Sequence, residues 1–357
     1  MIKNQVEIAI IGGGLIGMLT AYELAKSGAK VTVIEKAASA SESSWAGGGI
    51  LSPLYPWRYP DAVNALSFTS QRLYPSLVDS IHHISGIDPE YYPCGMHVLS
   101  DDLDSKAYQW LTEHDVAYSN SEPGWNQDPD RNYIFLPQVA QIRNPRFIKS
   151  LQLALEKSGV VFSFNNSVSD IENDNKGGFS VSTEKGQWSA EKIVVCAGAW
   201  TSQLLDEFLP AMDINPVRGQ MLLYKATPSL IPSIILAKGK YIIPRRDGHV
   251  LAGSTMENVG FNKAITEDGL AELTAFVADV CPALLKYPIQ KHWSGLRPGS
   301  PDGTPFIGEH PRIPGLFINS GHFRNGVVMA PASALLMSDL IQGNQSDISP
   351  ALYAIDR

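Results

Sequence analysis

The sequence predicts an α/β protein in which a parallel sheet with helices alternates along the chain with an antiparallel sheet. Three observations support this prediction. Residues 6–36 run from an apolar strand through a glycine-rich turn and a helical segment to a second apolar strand. Residues 216–256 hold β-type runs separated by turns, which is typical of an antiparallel sheet. Residues 316–341 add another apolar strand, a glycine-containing loop and an apolar helix.

The first of these segments carries a dinucleotide-binding fingerprint. The strand over residues 8–11 leads into Gly12-Gly13-Gly14-Leu15-Ile16-Gly17, which matches the pattern G-x-G-x-x-G and opens a helix. Gly12 permits the tight turn, and Gly14 lets the backbone approach a pyrophosphate at the helix N-terminus. Gly17 lets the helix pack closely on the strand. The segment therefore predicts a Rossmann-type nucleotide-binding domain.

Two features after the fingerprint strengthen that prediction. The second strand, residues 31–34, ends at Glu35, where a carboxylate can accept both hydroxyls of an unphosphorylated ribose. The small residues at 43–50 suit close backbone contact with a flat ligand. An ordinary α/β turn needs neither feature, so we expect a bound dinucleotide.

The remaining elements interleave two kinds of structure. In chain order they are a helix over 63–84, a helix over 145–158, strands over 160–164 and 168–172, a strand and tight turn over 193–200, antiparallel strands over 217–224, 241–244 and 250–254, a helix over 267–278, a strand over 316–321 and a helix over 327–341. This order predicts two discontinuous domains. Residues 1–85, 140–210 and 295–357 form the nucleotide-binding domain, and residues 86–139 and 211–294 form a substrate-binding domain on the antiparallel sheet.

Composition excludes several classes of protein. The 357 residues are 44% apolar and 18% charged, and the net charge of −8 without a basic stripe argues against nucleic acid or an anionic membrane as partner. The first apolar run is a strand, so we expect no signal peptide, and no run approaches the roughly 18–20 apolar residues of a membrane span. Cys94, Cys196 and Cys281 are too scattered for a disulfide framework or a metal site. We expect a cytoplasmic enzyme without a metal.

Three further segments carry a resemblance to a known family. They are SSWAGGGILSPLYPW at 43–57, HWSGLRPGSPDGTPFIG at 292–308 and GHFRNGVVMAP at 321–331. Together with the fingerprint, they resemble the FAD-dependent D-amino-acid oxidase superfamily, most closely its glycine oxidase branch, over residues 5–345. Sarcosine oxidases of this superfamily tether their flavin through a cysteine near residues 295–297, where this chain has none. The resemblance therefore implies non-covalent FAD in an extended pose.

The resemblance also implies an activity. Glycine, O₂ and water would give glyoxylate, ammonia and H₂O₂ through an imine, by hydride transfer from Cα to the flavin N5. Sarcosine and small D-amino acids would be further substrates. The imine would serve thiazole formation in thiamine biosynthesis, and similar enzymes are homotetramers. The residues implied in FAD binding are Gly12, Gly14, Leu15, Ile16, Gly17, Glu35, Lys36, Ser43, Ser44, Gly48, Gly49, Ile50, Val168, His322, Phe323, Arg324, Asn325, Gly326, Val327 and Val328.

Four residues are candidates for substrate binding. The resemblance implies that Arg297 clamps the substrate carboxylate, that Tyr241 adds a hydroxyl, and that Arg324 lies near substrate and flavin. A buried guanidinium needs a partner, and a carboxylate matches its fork, although an internal ion pair would serve Arg297 as well. Tyr241 has core packing as its alternative, and Arg324 has support of a neighbouring loop. Met256, at the end of a strand, lines the pocket or lies in the core.

No side chain is expected to act as a catalytic acid or base. Hydride transfer needs a deprotonated amine and good alignment, so the cofactor carries the chemistry and the protein supplies positioning. His322 is accordingly interpreted as packing against the flavin or supporting the backbone. The aromatic residues at 55–59 either cover the entrance or form a subunit contact. Residues 245–248 are interpreted as a hairpin turn with solvated charges.

Three alternatives stay open at this point. The first keeps the flavin and changes the substrate or acceptor, as in a sarcosine oxidase or a D-proline or D-alanine dehydrogenase. The second is a flavoprotein that modifies a residue on a partner protein, which residues 55–59 would dock. The third is an NAD-dependent dehydrogenase, against which residues 43–50 and 321–328 argue.

Overall fold

The computed structural model describes residues 4–357 apart from residues 122, 127, 129, 174–176, 210 and 211. The helices are α1 Leu15–Lys26, α2 Ser43–Ala46, α3 Asp61–Ser85, α4 Ser105–Glu113, α5 Asn144–Lys157, α6 Thr201–Leu204, α7 Glu267–Val280 and α8 Gly326–Gln342. The strands are β1 Asn4–Ile11, β2 Val31–Ile34, β3 Met96–Leu99, β4 Ser119–Ser121, β5 Tyr133–Leu136, β6 Val161–Ser163, β7 Val168–Asn173, β8 Phe179–Thr183, β9 Gly186–Val195, β10 Asn215–Lys225, β11 Ile234–Ala237, β12 Lys240–Pro244, β13 His249–Gly253, β14 Ile289–Gly299, β15 Phe306–Glu309 and β16 Leu316–Ser320.

The first sheet has β1 near its centre and follows the order β15-β16-β9-β1-β2-β6, with the β7–β8 hairpin joined to β9. β1 pairs in parallel with β2 and β9, so that Ile10 lies opposite Val33 and Val194. Both faces are buried, which explains the continuous apolar runs of these strands. Ile8 and Ile10 pack against a cluster supplied by α1, α3, α5 and α8.

The second sheet follows the order β14-β10-β13-β12-β11-β3-β5-β4 and is antiparallel except where β11 meets β3. Its pleat divides β12 between two faces. Ile242 packs in the cluster that includes Leu273 of α7, whereas Tyr241 and Ile243 lie in the opposite cluster with Ile50. Because neighbouring side chains in a strand point to opposite faces, this register aims Tyr241 away from α7.

The structure confirms the predicted α/β class with an antiparallel sheet interleaved in a parallel one. The strands β3, β4 and β5 were not predicted individually, since runs of three or four residues carry little periodicity. The division into two domains stays a prediction, and β14 crosses its boundary between residues 294 and 295. Among the described residues, no helix combines the length and apolarity that a bilayer crossing requires.

Candidate active site

A cavity of about 580 Å³ is lined by residues of both sheets. We call the lining residues 11, 12, 14–16 and 34–36 the nucleotide wall, because they carry the predicted fingerprint. We call the lining residues Gly219, Tyr241, Ser254, Arg297 and Arg324 the arginine wall. The first wall belongs to β1, β2 and the start of α1, and the second is assembled around β10, β12 and β14.

The nucleotide wall requires glycine for steric reasons. Gly12 has φ of +108°, and a Cβ there would lie 2.4 Å from the carbonyl oxygen of Cys196. A Cβ on Gly17 would lie 2.0 Å from the Gly12 oxygen, so Gly17 permits the close packing of α1. α1 begins without a side-chain cap from Gly14, and the Leu15 amide donates to Ser44 Oγ at 2.9 Å. The positive end of α1 therefore faces the cavity.

Glu35 and Lys36 continue this wall at the end of β2. Glu35 Oε2 accepts the Gly13 amide at 2.6 Å, and Oε1 accepts the Ala37 amide at 2.9 Å. A carboxylate has further lone pairs, so Glu35 can still accept ribose hydroxyls. Lys36 Nζ lies 3.0 Å from the ring centroid of Trp200, and burial lowers the pKa of Lys36.

A second glycine-rich segment reaches the cavity at residues 47–49. A Cβ on Gly49 would lie 2.0 Å from the Ile142 carbonyl oxygen. Arg245 holds this segment, since Nη2 donates to the Gly48 carbonyl at 2.8 Å and Nη1 donates to Gln141 Oε1 at 2.6 Å and to the Ile142 carbonyl at 3.0 Å. Burial lowers the pKa of Arg245 to about 10.

The expectation of a fully solvated turn at residues 245–248 is therefore wrong for its first member. Arg245 is only 8% exposed, whereas Arg246 and Asp247 are exposed as expected. Arg245 directly follows β12, the strand that carries Tyr241 and Ile243, and its side chain points to the same face as theirs. The composition of the turn alone does not show that the Arg245 side chain is buried.

Arg297 occupies the centre of the arginine wall. Its Nη2 donates to Ser254 Oγ at 2.6 Å, and its Nη1 lies 3.3 Å from the Thr255 carbonyl oxygen. Gly219 lies so close to the guanidinium that a Cβ there would be 2.2 Å from Nη2. Burial lowers the pKa of Arg297; Tyr241 opposes this shift, and the charge of Arg324 adds to it.

Arg324 brings a second guanidinium to the same cavity. Its Nη2 donates to the Gly239 carbonyl at 3.0 Å. Over the part of the chain that the structure describes, no ion pair joins Arg297 or Arg324 to an Asp or Glu side chain. Two cations that share a cavity without a carboxylate partner form a site for an anionic ligand.

His322 lines the cavity but is only 2% exposed. Its Nε2 lies 3.0 Å from Ser333 Oγ, and burial lowers its pKa to about 3. The imidazole is thus neutral at neutral pH. The interpretation of His322 as a packing residue is compatible with this environment and stays a prediction, as does the absence of a catalytic acid or base.

The structure brings most of the predicted site residues together. The predicted residues that line the cavity are Gly12, Gly14, Leu15, Ile16, Glu35, Lys36, Ser43, Ser44, Gly48, Gly49, Ile50, Val168, Tyr241, Arg297, His322, Phe323, Arg324, Gly326 and Val327. Gly17, Asn325 and Val328 are buried behind the lining. Their predicted roles in FAD binding stay predictions.

Met256 is the predicted substrate-binding residue that lies outside the cavity. It is 57% exposed and does not line the cavity, so both the lining and the core interpretations are wrong in this structure. Its neighbours explain the orientation. Thr255 Oγ1 accepts the Gln220 amide at 2.9 Å, and Glu257 forms an ion pair with Arg218 at 2.5 Å. With both flanking side chains turned inward, Met256 points outward.

Several residues of the site were missed in the sequence, and four of them illustrate why. Gly219, Ser254 and Trp200 line the cavity, and Arg245 supports its glycine-rich segment. Only Gly219 carried a signal, because a glycine within an apolar strand indicates close approach of another group. Within the described residues, no cluster of three or more His, Cys, Asp or Glu side chains could hold a metal ion.

The nucleotide wall fits FAD in three respects. Gly12 permits the tight turn and Gly14 leaves the start of α1 without a side chain, α1 directs its N-terminus at the cavity, and Glu35 presents a carboxylate there. These are the features that a pyrophosphate and a ribose require.

Comparisons with known proteins agree with this geometry. A family model described as FAD dependent oxidoreductase matches residues 7–340. A glycine oxidase of Pseudomonas aeruginosa is 42% identical and covers 97% of this chain and 98% of its own length. A bifunctional protein ThiO/ThiG of Nostoc sp. is 32% identical and covers 96% of this chain but 53% of its own length. The crystal structure of glycine oxidase from Geobacillus kaustophilus matches with a TM-score of 0.95 at 26% identity, over 99% of each chain.

The match to the family model extends over nearly the whole chain and includes both walls of the cavity. It confirms the resemblance found in the sequence, and it identifies FAD as the cofactor. The chain belongs to the DAO family of FAD dependent oxidoreductases.

Proposed function

We propose that the protein is a glycine oxidase, which also accepts sarcosine and small D-amino acids. The observation that carries this proposal is the pair of guanidiniums of Arg297 and Arg324, which have no carboxylate partner within the described part of the chain. They can bind the carboxylate of an amino acid. The names of the relatives support the choice of glycine. A site that fixes carboxylate and amine discriminates one methylene by only about 1–3 kcal/mol, which explains the wider range of substrates.

The arginine wall would orient the substrate. The fork of Arg297 takes the carboxylate, and Ser254 holds that fork in place. The Tyr241 hydroxyl, on the same face, adds a contact to the carboxylate, and Arg324 adds positive charge. FAD held by the nucleotide wall would supply a two-electron acceptor for the hydride from Cα, with O₂ as the final oxidant. Fixing Cα in one position is the catalytic contribution of these residues.

Burial disfavours the protonated form of His322 and makes it a weak base, which supports a reaction without a side-chain base. The amine must lose its proton before the hydride leaves, and solvent can accept it. The overall balance is glycine, O₂ and water to glyoxylate, ammonia and H₂O₂, with an imine as the species that water hydrolyses. The imine is also the product that thiazole formation in thiamine biosynthesis would draw on, a role supported by the name ThiO/ThiG of one relative.

Several further points belong to the same proposal. The nucleotide wall, Val168 and residues 43–50 hold FAD without a covalent bond, and the two predicted domains meet at the cavity. The protein acts in the cytoplasm as a homo-oligomer, a tetramer by resemblance. Three free cysteines suit a reducing compartment.

The test is anaerobic mixing of the purified yellow protein with glycine, sarcosine, D-alanine and D-proline, followed by admission of air and an assay of H₂O₂. We expect glycine to bleach the flavin and air to restore the colour with formation of peroxide. Bleaching without peroxide would point to a dehydrogenase instead. If no free amino acid bleaches the flavin, the proposal is wrong, and a protein-bound residue becomes the better candidate substrate.

A further inference from the structure

A chain of hydrogen bonds connects a carboxylate outside the cavity with the arginine wall. The Tyr55 hydroxyl donates to Asp102 Oδ2 at 2.9 Å and accepts the Gly239 amide at 3.0 Å. The Gly239 carbonyl in turn accepts Arg324 Nη2 at 3.0 Å. We propose that Tyr55 is a positioning residue that holds Arg324 in the cavity through the turn at Gly239. This inference rests on the proposed function insofar as Arg324 acts on an amino-acid substrate.

The turn is well suited to transmit position. Lys238 and Gly239 form the two-residue loop between β11 and β12, and both have positive φ, 52° and 75°. A two-residue hairpin loop of this kind has a fixed backbone geometry. Asp102 Oδ2 also accepts the Lys238 amide at 2.6 Å, so both amides of the loop are held by the same pair of side chains.

Tyr55 is itself held firmly. It is 4% exposed, and the Arg58 guanidinium lies 4.1 Å from its ring centroid. Arg58 Nη2 also donates to the Asp102 backbone carbonyl at 2.9 Å, and the ring of Trp57 meets that of Tyr55 edge-on at 5.7 Å. Burial raises the pKa of Tyr55, so its hydroxyl stays protonated and donates to Asp102.

Tyr55 acts behind the wall and not within it, because it does not line the cavity. This distinguishes Tyr55 from the two roles considered for the aromatic residues at 55–59. A residue that covers the entrance must move away to admit substrate and then move back. The Tyr55 hydroxyl is instead buried and hydrogen-bonded to the β11–β12 loop. Entrance cover and subunit contact stay predictions for Trp57 and Tyr59.

The variant Tyr55→Phe tests the proposal, because it keeps the ring and removes both hydrogen bonds. The loss of one hydrogen bond that positions Arg324 corresponds to about a 5-fold change in the affinity for the substrate. We expect the KM for glycine to rise about 5-fold, kcat to change less than about 2-fold, and the FAD content to stay full. Tyr353→Phe is the matched control, since the Tyr353 hydroxyl is also buried and donates to the Ala62 carbonyl at 2.8 Å. We expect it to leave the KM unchanged.

A double-mutant cycle shows whether Tyr55 acts through Arg324. In an Arg324→Ala background, Tyr55→Phe should have no further effect on the KM, since the group that it positions is gone. Multiplication of the two single effects would overturn the proposal, as would an unchanged KM in Tyr55→Phe alone. If Tyr55→Phe does not fold, Asp102→Asn weakens the same chain from its outer end and should raise the KM about 2-fold.

A second measurement does not depend on turnover. Phenylglyoxal labels accessible guanidiniums, and mass spectrometry of the FAD-loaded protein gives the labelling rate at each arginine. We expect Tyr55→Phe to raise the rate at Arg324 several-fold and to leave that at Arg297 unchanged. Equal rates at Arg324 in both proteins would refute the positioning role even if glycine proves not to be the substrate. Conversely, a raised labelling rate at Arg324 together with no flavin reduction by amino acids would refute the proposed function but not the positioning role of Tyr55.

Discussion

The two walls of the cavity are built in opposite ways. The nucleotide wall lies within residues 11–16 and 34–36 and depends on glycine, because a Cβ at Gly12 would collide with the Cys196 carbonyl. The arginine wall depends on the side chains of Tyr241, Arg297 and Arg324, which β12, β14 and the turn before α8 bring together from distant parts of the sequence. One wall works by leaving space and the other by filling it. The first should therefore fail when atoms are added, and the second when they are removed.

The largest expected effect comes from adding atoms to the nucleotide wall. In Gly14→Val the Cβ would lie 3.1 Å from Ser44 Oγ, and the two methyl groups would occupy the space next to the first turn of α1. We expect the purified protein to be colourless, with an FAD Kd raised more than about 100-fold, because the pyrophosphate can no longer approach the backbone. Absorbance at 450 nm and titration of the apoprotein with FAD measure this.

Gly28→Ala is the matched control within the same strand–helix–strand unit. A Cβ at Gly28 meets nothing within 4 Å, although its φ of +87° costs about 1 kcal/mol of stability. It should remain yellow. Full FAD content in Gly14→Val would contradict the role of this wall in pyrophosphate binding.

The next effect comes from removing atoms from the arginine wall. We expect Arg297→Ala to lower kcat/KM for glycine about 100-fold or more, mainly through KM, because the carboxylate loses a buried charged partner. The protein should stay yellow, since the nucleotide wall is intact. Arg312→Ala, at an exposed arginine, serves as the control. An unchanged KM in Arg297→Ala would rule out the carboxylate clamp.

Arg245 tests whether the two walls are independent, because it directly follows β12 and also holds the Gly48 carbonyl. Arg245→Met leaves three buried acceptors without a donor, and each unsatisfied group costs about 1–3 kcal/mol. We expect the free energy of unfolding to fall by about 3 kcal/mol and the FAD Kd to rise about 10-fold. The exposed neighbour provides the control, since Arg246→Met should change stability by about 0.5 kcal/mol or less. Equal effects of the two variants in urea unfolding would show that Arg245 has no special role.

The same contrast explains what the sequence can and cannot predict. The nucleotide wall was predicted in detail because its determinants lie within one strand–turn–helix unit, and the α/β class with its antiparallel sheet was confirmed. Arg297 and Tyr241 were singled out by resemblance, and only the register of the second sheet places them in one cavity. Short strands such as β3 and β4 escaped detection for lack of periodicity.

The errors lie where tertiary contacts decide the direction of a side chain. Met256 was interpreted as lining the pocket or lying in the core, but the inward contacts of Thr255 and Glu257 turn it to solvent. Arg245 was placed in solvent, but the Gly48 and Ile142 carbonyls draw it inward. In both cases the partner lies tens of residues away in sequence or further, so a local pattern contains no trace of it.

The smallest expected effect comes from Gly219→Ala. This variant refines the contrast between the walls, because it adds an atom to the arginine wall. In Gly219→Ala the new Cβ would lie 2.2–2.5 Å from the guanidinium atoms of Arg297, so the fork must move away from Ser254. We expect the KM for glycine to rise about 10-fold with full FAD content, since misplacing a charged hydrogen bond costs about 1.5 kcal/mol. Gly308→Ala is the control, because a Cβ in that strand makes an ordinary contact of 3.4 Å with Ile355. A normal KM in Gly219→Ala would mean that Arg297 has a second position from which it binds the carboxylate equally well, and the arginine wall would then tolerate added atoms as the nucleotide wall does not.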